Sequence, residues 1–317
     1  MDELLHRALN WETLLAVTKE EKADTVYEAA CQEGIVDQPL LLHTAFYAEQ
    51  LGLDTSVVGD AYLVARPFFE EMDESVCILD ETSPQWPSTL NDNPYKPRFL
   101  YTKGNLQLLE EPLVSIVGTR SPSLAGRQLA HRSAKALGNA GFTVVGGLGL
   151  GIEAAAHQSA LLSDRPTMAV LSTSLERAYP LQHADLQEEI GKRGLLVSRF
   201  GPASKTQKIH LFLRNRLMAA LSSAMLVIED RDGGTAVSQA TDALERGKPV
   251  LLYQLSLDNS ALLWPQRLVA HDLATVVKRT QDLGRITRRV TNTKPVKKVK
   301  KKPSGQLDLF TVATGSP

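Results

Sequence analysis

The sequence has few cysteines, and their positions suggest neither a disulfide framework nor a metal site. Cys31 and Cys77 are the only two among 317 residues, and they are far apart. Two such cysteines lack the spacing of zinc ligands, and so low a number is typical of a protein in a reducing cytoplasm. We therefore expect a cytoplasmic protein with no metal and no cofactor.

Long apolar runs and a secretory leader are also missing. The N-terminus, Met1 to His6, lacks the basic start and apolar centre of a signal peptide. The longest apolar stretches are interrupted by Arg214, Arg216 or Pro249, so none is long enough to span a bilayer. The sequence thus predicts no membrane partner, while a hydrophobic content of 43% is sufficient for a sizeable core.

Groupings of side chains typical of hydrolytic catalysis are absent as well. His157 is the only histidine in the glycine-rich segment from Gly147 to His157, and Glu153 stands one helical turn before it. No Ser-His-Asp order and no pair of carboxylates with a reason to shift their pKa values accompanies them. We therefore predict a protein that is not an enzyme, with a structural role for His157.

Acidic residues are missing from one stretch near the C-terminus. Residues 284–302 contain nine cations and no acid, so a net charge of -1 leaves -10 for the rest of the chain. The nine are Arg285, Arg288, Arg289, Lys294, Lys297, Lys298, Lys300, Lys301 and Lys302. A basic extension on an acidic body is typical of an interaction arm. We expect residues 284–317 to be disordered, because so polar a segment buries too little apolar surface.

What the sequence does contain is a regular alternation of short apolar runs and helical segments. The runs are Leu113–Val117, Thr143–Val145, Thr167–Leu171, Leu195–Ser198, Met225–Ile228 and Pro249–Tyr253. Such alternation predicts βαβ units and a parallel sheet. We predict an α/β fold with a Rossmann-like, mostly parallel sheet, helices on both faces and a small helical N-terminal domain.

The predicted boundaries follow changes in composition. Residues 1–70 have helical periodicity, and residues 71–112 form a Pro-rich, extended lead-in that packs on the next domain. Residues 113–283 form the Rossmann-like domain, of which Leu262 to Leu283 is predicted to be one helix. The basic tail, residues 284–317, follows it.

The first candidate site follows the first strand of that domain. Gly118, Thr119 and Arg120 come directly after the apolar run, and a helix is predicted from Leu124 to Ala140. The carboxyl ends of parallel strands bind ligands in such folds, and a helix N-terminus beside an arginine suits phosphate. The alternative is a structural turn with a solvated arginine.

Three further loops are predicted to meet the first. Gly147, Gly149 and Gly151 follow the second strand, without the spacing of the dinucleotide-binding fingerprint. Lys208, Arg214, Asn215 and Arg216 lie at the start of a helix and suit phosphate and base contacts. Gly233, Gly234 and Thr235 follow a later strand and suit a phosphate held by backbone amides. The alternatives are a tight turn, a basic surface turn and a helix cap, respectively.

Together these stretches resemble the DNA-processing protein A family (DprA, also called Smf). The matching segments are Ser115 to Arg120, Gly147 to His157, Ala178 to Pro180, Arg214 to Ser222 and the Gly-Gly-Thr loop. The resemblance covers about Val76 to Tyr253. It implies a bacterial single-stranded DNA-binding protein without established catalysis that helps to load recombinase. It also implies phosphate contacts by Arg120, Lys208, Arg214, Asn215 and Arg216, and a close approach of DNA to the loop from Gly147 to Gly151.

Several positions depart from the family pattern. Leu150 and Leu213 stand where arginine is usual, Glu153 where aspartate is usual, and Leu211 where an aromatic residue is usual. Phe212 could supply the missing base stacking from the neighbouring position, worth about 1–3 kcal/mol per base. The family's Val-Pro-Gly is absent after Tyr253. A diverged or specialised member is expected.

The C-terminal tail contains a short apolar motif, Gln306-Leu307-Asp308-Leu309-Phe310. It resembles the peptide with which bacterial proteins bind the replication sliding clamp. Leu309 and Phe310 would anchor it in an apolar pocket. A chance string in a disordered end is the alternative.

The leading hypothesis is a non-catalytic single-stranded DNA-binding protein of DNA recombination or processing, with a recombinase, the sliding clamp and a second copy of the chain as further partners. A Rossmann-type nucleotide sensor or nucleotide-processing enzyme, using Glu153 or Glu229 as acid, is one alternative. A regulatory partner that restrains a toxin or defence effector is the other.

Overall fold

Residues 3–292 form twelve α-helices and nine β-strands in the computed structural model, which describes this range of the chain. The first four helices precede the sheet: α1 Glu3–Val17, α2 Glu20–Gln32, α3 Thr44–Leu51 and α4 Thr55–Glu70. The strands are β1 Val76–Leu79, β2 Leu100–Gly104, β3 Leu113–Val117, β4 Thr143–Gly146, β5 Thr167–Val170, β6 Leu195–Ser198, β7 Ala224–Val227, β8 Val250–Tyr253 and β9 Ala274–Val277. The remaining helices are α5 Leu124–Asn139, α6 Ile152–Leu162, α7 Ala184–Arg193, α8 Lys208–Leu221, α9 Thr235–Glu245, α10 Gln254–Asp258, α11 Trp264–Ala270 and α12 Leu283–Asn292.

All nine strands belong to one sheet in the order β1-β2-β6-β5-β4-β3-β7-β8-β9. Strands β3 to β9 are parallel, whereas β2 pairs antiparallel with both β1 and β6. The predicted α/β class and mostly parallel sheet are thus confirmed. The Pro-rich lead-in supplies β1 and β2, which extend the sheet at one edge.

Helices cover both faces of the sheet. Apolar residues of α8, α9 and α11 form the core on one face, together with Trp86 and Leu90 of the lead-in. Residues of α5, α6 and α12 pack on the other face over β3, β4, β7 and β8. Strands β3 to β8 are short apolar runs because both of their faces are buried.

The helical N-terminal segment shares a core with the sheet. Tyr27 of α2 packs edge-on against Phe99, and Phe69 of α4 packs edge-on against Tyr101 in β2, with ring centroids 6.1 and 6.3 Å apart. The same cluster extends to Leu196 in β6. A continuous core therefore links helices α1 to α4 with one end of the sheet.

The order of the strands reverses between β3 and β7. The chain proceeds from β3 through β4 and β5 to β6 on one side, and β7 then returns to pair with β3 on the other. Loops that leave the carboxyl ends of β3 and β7 consequently diverge, and the crevice between them is the usual ligand position in open α/β sheets.

The C-terminal part differs from the prediction in two places. Leu262 to Leu283 is not one helix but α11, strand β9 and a 3-10 turn. The β-branched run Thr275-Val276-Val277 pairs with β8 instead of continuing the helix. The chain also remains helical past Gly284, where disorder was expected: α12 extends to Asn292, and its residues Leu283 and Thr287 are buried. Residues 293–317, with the motif from Gln306 to Phe310, lie outside the described residues.

Candidate functional site

Backbone hydrogen bonds connect three of the four predicted loops at the carboxyl edge of the sheet. The amide of Thr119 donates to the carbonyl of Glu229 after β7 (2.7 Å), and the amide of Ile152 donates to the carbonyl of Thr119 (3.2 Å). Gly118 permits this approach, since a Cβ there would lie 2.5 Å from the side chain of Ile152. The loops after β3, β4 and β7 thus form one continuous surface.

The glycine loop after β4 closes on the protein's own side chains. A Cβ on Gly147 would overlap the guanidinium of Arg214, and one on Gly149 would lie 2.7 Å from the carboxylate of Glu153. Gly151 has a φ of 78° and lies directly against the backbone of Arg120. The close approach that these glycines allow is therefore used within the chain.

Arg214 of α8 lies beneath the glycine loop in a buried ion pair. Its Nη1 is 3.5 Å from Oε2 of Glu153, and both side chains are less than a tenth exposed. The same oxygen accepts the backbone N–H of Gly149 (2.9 Å). The guanidinium of Arg214 is thus enclosed and already paired, so the predicted phosphate contact would require this ion pair to open.

Arg216 projects from the other side of α8. Residues two positions apart on a helix are separated by about 200° around its axis. Arg216 forms ion pairs with Asp242 (3.0 Å) and Glu245 (3.1 Å) of α9, and its guanidinium lies over the rings of Tyr95 and Phe212, which contact each other edge-on. The side chain is 7% exposed, so its guanidinium is not free for the predicted phosphate contact in this arrangement.

Two helix N-termini that suited phosphate hold carboxylates of the chain itself. At α5, the hydroxyl of Ser123 caps the helix by accepting from the amide of Gly126 (2.9 Å), and Glu229 in turn accepts from the N–H (3.2 Å) and the hydroxyl (2.8 Å) of Ser123. At α9, Oδ2 of Asp230 accepts from the amides of Ala236 (2.7 Å) and Val237 (3.3 Å). The predicted phosphate positions at these helix ends are therefore already occupied by carboxylates.

His157 is a buried structural residue. Its Nδ1 lies 2.7 Å from the hydroxyl of Thr167, whose own proton is donated to the carbonyl of Val144. The hydroxyl must then accept, so Nδ1 is the protonated nitrogen. Burial lowers the pKa of His157 to about 4, so the ring is neutral at pH 7.

Several cations at this edge remain exposed on the loop surface. Arg120 and Lys208 are exposed. In the loop after β7, Gly233 and Thr235 are also exposed, whereas Gly234 is buried against Asp230. Three further exposed cations escaped the sequence-based prediction, although each stands in or beside a predicted loop: Arg177, Lys205 and Arg231.

Apolar side chains accompany these cations. Phe212 is 39% exposed, Tyr179 is 50% exposed and Ile209 is 51% exposed. Asn215, half-buried on the same side of α8 as Phe212, accepts a hydrogen bond from Gln239 of α9 (2.9 Å). The outward-facing surface thus combines cations with rings, while the carboxylates of Glu229 and Asp230 accept hydrogen bonds at helix starts.

Metal sites and membrane spans are not evident in the described range. Within residues 3–292, no group of three or more His, Cys, Asp or Glu side chains is arranged to hold a metal ion. No helix in this part of the chain has the length and apolar character needed to cross a bilayer.

Comparison with known proteins identifies the family. A family model described as DNA recombination-mediator protein A matches residues 77–287, about two thirds of the chain. The chain belongs to this family. The match begins at β1 and ends within α12, so it includes all four loops of the site and confirms the resemblance to DprA and Smf.

Individual members of the DNA recombination-mediator protein A family are moderately similar in sequence. Protein Smf of Synechocystis sp. is 37% identical over 195 residues, which cover 60% of this chain and 48% of that protein. DNA processing protein DprA of Streptococcus pneumoniae is 35% identical over 176 residues, covering 56% and 61%. The match thus spans about half the length of the first relative and three fifths of the second.

Solved structures of family members share the architecture. DNA processing protein A of Streptococcus pneumoniae superposes with a TM-score of 0.67 at 26% identity, covering 89% of this chain and 94% of that chain. The Helicobacter pylori protein superposes with a TM-score of 0.61 at 25% identity, covering 68% and 96%; its structure was reported for a unique single-stranded DNA binding mode.

Proposed function

We propose that this protein binds single-stranded DNA at the carboxyl edge of its sheet and acts in DNA recombination or processing without catalysing a reaction. The observation that supports this most is the division of charge in the four loops. The carboxylates of Glu229 and Asp230 accept hydrogen bonds at the starts of α5 and α9, whereas Arg120, Lys208 and Arg231 are exposed. The family match and the reported DNA binding of the Helicobacter pylori protein support the choice of ligand.

The arrangement suits a flexible strand rather than a compact ligand. Exposed cations can follow a chain of phosphates, and exposed rings such as Tyr179 and Phe212 offer faces to unpaired bases. Phe212 is held by the ring of Tyr95 (centroids 5.5 Å apart) and by Arg216. Arg216 is in this proposal a residue that positions Phe212, rather than a phosphate contact.

A nucleotide-processing enzyme is less well supported by the geometry. That hypothesis requires a free acid, for which the sequence offered Glu153 or Glu229. The first is paired with Arg214, and the second accepts hydrogen bonds from Ser123 at the start of α5. We therefore propose DNA binding alone.

The proposal is tested by titrating a labelled oligonucleotide of about 12 nucleotides with the full chain and with Arg120→Gln/Lys208→Gln. Each phosphate contact contributes about 0.7 to the slope of log K against log salt for single strands. The variant should therefore lose about 1.4 in slope and bind at least tenfold more weakly at 0.1 M salt.

The matched control is Lys22→Gln/Lys192→Gln, which removes the same charge from exposed positions on α2 and α7. It should bind like the unchanged protein. Equal binding by the Arg120→Gln/Lys208→Gln variant and the unchanged protein would refute the proposal. Stronger binding to duplex than to single strands would refute the choice of ligand.

Further partners remain proposals. A recombinase and a second copy of the chain are proposed as partners, and the motif from Gln306 to Phe310 is proposed to bind the sliding clamp. A synthetic peptide of residues 303–314 titrated with a bacterial clamp tests the last. A peptide with Leu309→Ala/Phe310→Ala is the control, and equal affinities of the two peptides would refute the motif.

A further inference from the structure

Two neighbouring helices on one face of the sheet contain cations but no acids. On α5, Arg127, Arg132 and Lys135 are exposed, and no Asp or Glu occurs between Leu124 and Asn139. On α12, Arg285, Arg288 and Arg289 are exposed, again without an acid in the helix. The two helices therefore present a surface of one sign on a chain whose net charge is -1.

The two helices pack side by side, which joins their cations into one surface. Gly284 lies so close to Ala140 that a Cβ there would overlap the Cβ of the alanine. Nη2 of Arg288 donates to the carbonyl of Ala140 at the end of α5 (2.6 Å). A cleft of about 410 Å³ between the helices is lined by Asn139, Ala140, Gly284, Arg285, Arg288, Arg289 and Asn292.

Most of these charges are not neutralised by the protein. Arg285 shares Asp282 with Arg279, at 3.3 and 2.8 Å. Within residues 3–292, Lys135 and Arg289 form no ion pair. Exposed, unneutralised cations attract anionic partners, and their attraction falls with salt.

The position of α5 connects this surface with the loop site. The helix starts four residues after Arg120 and ends beside α12. Its 16 residues span about 24 Å. We propose that the α5–α12 surface, defined by Arg127, Arg132, Lys135, Arg285, Arg288 and Arg289, binds the phosphate backbone of a nucleic-acid strand that leaves the loop site.

A nucleic acid fits this surface better than a small anion does. The cations are distributed over two helices rather than gathered around one point, and a polyphosphate backbone can contact them in succession. The sequence continues beyond Asn292 with six lysines between Lys294 and Lys302 and no acid. The same sign of charge thus extends from the loop site through α5 and α12 into the following segment.

This inference rests on the proposed DNA binding and adds a second contact region that matters only for longer strands. The test compares the full chain with Arg132→Gln/Lys135→Gln/Arg289→Gln. These substitutions keep helix-forming side chains and remove three charges from exposed positions. Binding is measured for oligonucleotides of about 8 and about 30 nucleotides between 0.05 and 0.3 M salt, values chosen so that electrostatic contacts dominate.

The triple variant should bind the long oligonucleotide roughly tenfold to a hundredfold more weakly at 0.1 M salt, with a slope reduced by up to about 2. Its affinity for the short oligonucleotide should not change. The control Lys22→Gln/Arg66→Gln/Lys192→Gln removes equal charge elsewhere and should bind both lengths normally.

Three outcomes would overturn the inference: unchanged binding of the long strand, equal weakening for both lengths, or equal weakening in the control variant. The loop variant Arg120→Gln/Lys208→Gln distinguishes this failure from failure of the proposed function. If the loop variant binds the short strand as tightly as the unchanged protein does, the proposed loop site is wrong. If the loop variant binds weakly but the triple variant binds both strands normally, only the α5–α12 surface is wrong.

Discussion

At the scale of single residues, Gly147 determines whether the buried ion pair beneath the loop cluster can form. Its missing Cβ leaves the space that the guanidinium of Arg214 occupies. Arg214 and Glu153 are both nearly inaccessible to water, so neither charge can be solvated if the pair is pulled apart.

Gly147→Ala should therefore destabilise the protein by on the order of 3 kcal/mol, the cost of disrupting a buried ion pair. Urea unfolding measures the change. Gly59→Ala is the control. Gly59 lies within helix α4, and a Cβ there would meet only the side chains of Leu41 at 3.8 Å and Thr44 at 4.0 Å. The control should be neutral or up to about 1 kcal/mol more stable. Equal stabilities of the two variants would show that Arg214 has room to move.

Glu12 couples the stability of the fold to pH. It lies on α1, and its Oε1 accepts the backbone N–H of Gly201 (3.2 Å). Burial raises the pKa of Glu12 to about 7 from an ordinary value of 4.5. Between these pH values the folded state holds a proton that the unfolded state has lost, so stability falls as pH rises through this window.

Glu12→Gln should remove this dependence. The stability of the variant relative to the unchanged protein should rise from pH 4.5 to pH 8, by up to about 3 kcal/mol. Urea unfolding at several pH values measures the difference. His157, whose pKa is lowered, is present in both proteins and cancels in the comparison. A stability difference between Glu12→Gln and the unchanged protein that does not vary with pH would contradict the prediction.

At the scale of elements, the helix starts at this edge depend on carboxylates that follow β7. Asp230 caps α9 through the amides of Ala236 and Val237, and its Oδ1 accepts from the amide of Arg231 (2.9 Å). Asp232 accepts from the amides of Leu263 and Trp264 at the start of α11. One short loop thus fixes the starts of two helices.

Asp230→Ala should cost about 2 kcal/mol, because buried amides at the start of α9 lose their acceptor. Asp230→Asn keeps one acceptor oxygen for the amides of Ala236 and Val237 but loses the charge and the acceptor for Arg231, so its cost should be smaller, about 1 kcal/mol. Thermal unfolding compares the two variants. A cost for Asp230→Asn as large as that for Asp230→Ala would show that the acceptor at the start of α9 is not the source of the stabilisation.

The same elements show what the sequence could and could not predict. Strands β3 to β8 were recognisable because each is a short apolar run buried on both faces. Strand β9 was missed, since its four residues follow apolar positions such as Leu268 that fit a helical period equally well. The opposite directions of Arg214 and Arg216 were predictable in principle from helical geometry, but their partners Glu153, Asp242 and Glu245 are brought close only by the folded chain.

At the scale of the whole molecule, the helical N-terminal segment and the sheet are joined by more than a linker. Arg98 forms ion pairs with Asp24 (2.6 Å) and Glu28 (2.7 Å) of α2, and its guanidinium lies over the rings of Trp11 and Tyr27. Arg199, after β6, is paired with Glu20. The composition change near residue 70 predicted a boundary there, but it could not predict this shared interface, which depends on residues far apart in the sequence.

The shared core implies that the helical segment and the sheet unfold together. Phe69 of α4 is 2% exposed and packs on Tyr101, so Phe69→Ala should remove about 3–5 kcal/mol. Trp264 lies at the start of α11 on the other side of the sheet, with its Nε1 donating to the carbonyl of Asp230 (2.9 Å). In a chain whose other two tryptophans, Trp11 and Trp86, are replaced by phenylalanine, its fluorescence reports the unfolding of that distant region.

In that background, Phe69→Ala should lower the urea midpoint detected by Trp264, because loss of the helical segment removes part of the core under β2, β5 and β6. Phe68→Ala is a close control, since this neighbouring side chain is 50% exposed and should leave the midpoint nearly unchanged. If Phe69→Ala shifts only the far-UV signal of the helices while the Trp264 midpoint stays in place, the two parts are independent folding units. A common shift would instead mean that mutations in α1 to α4 weaken the loop site by destabilising the sheet that supports it.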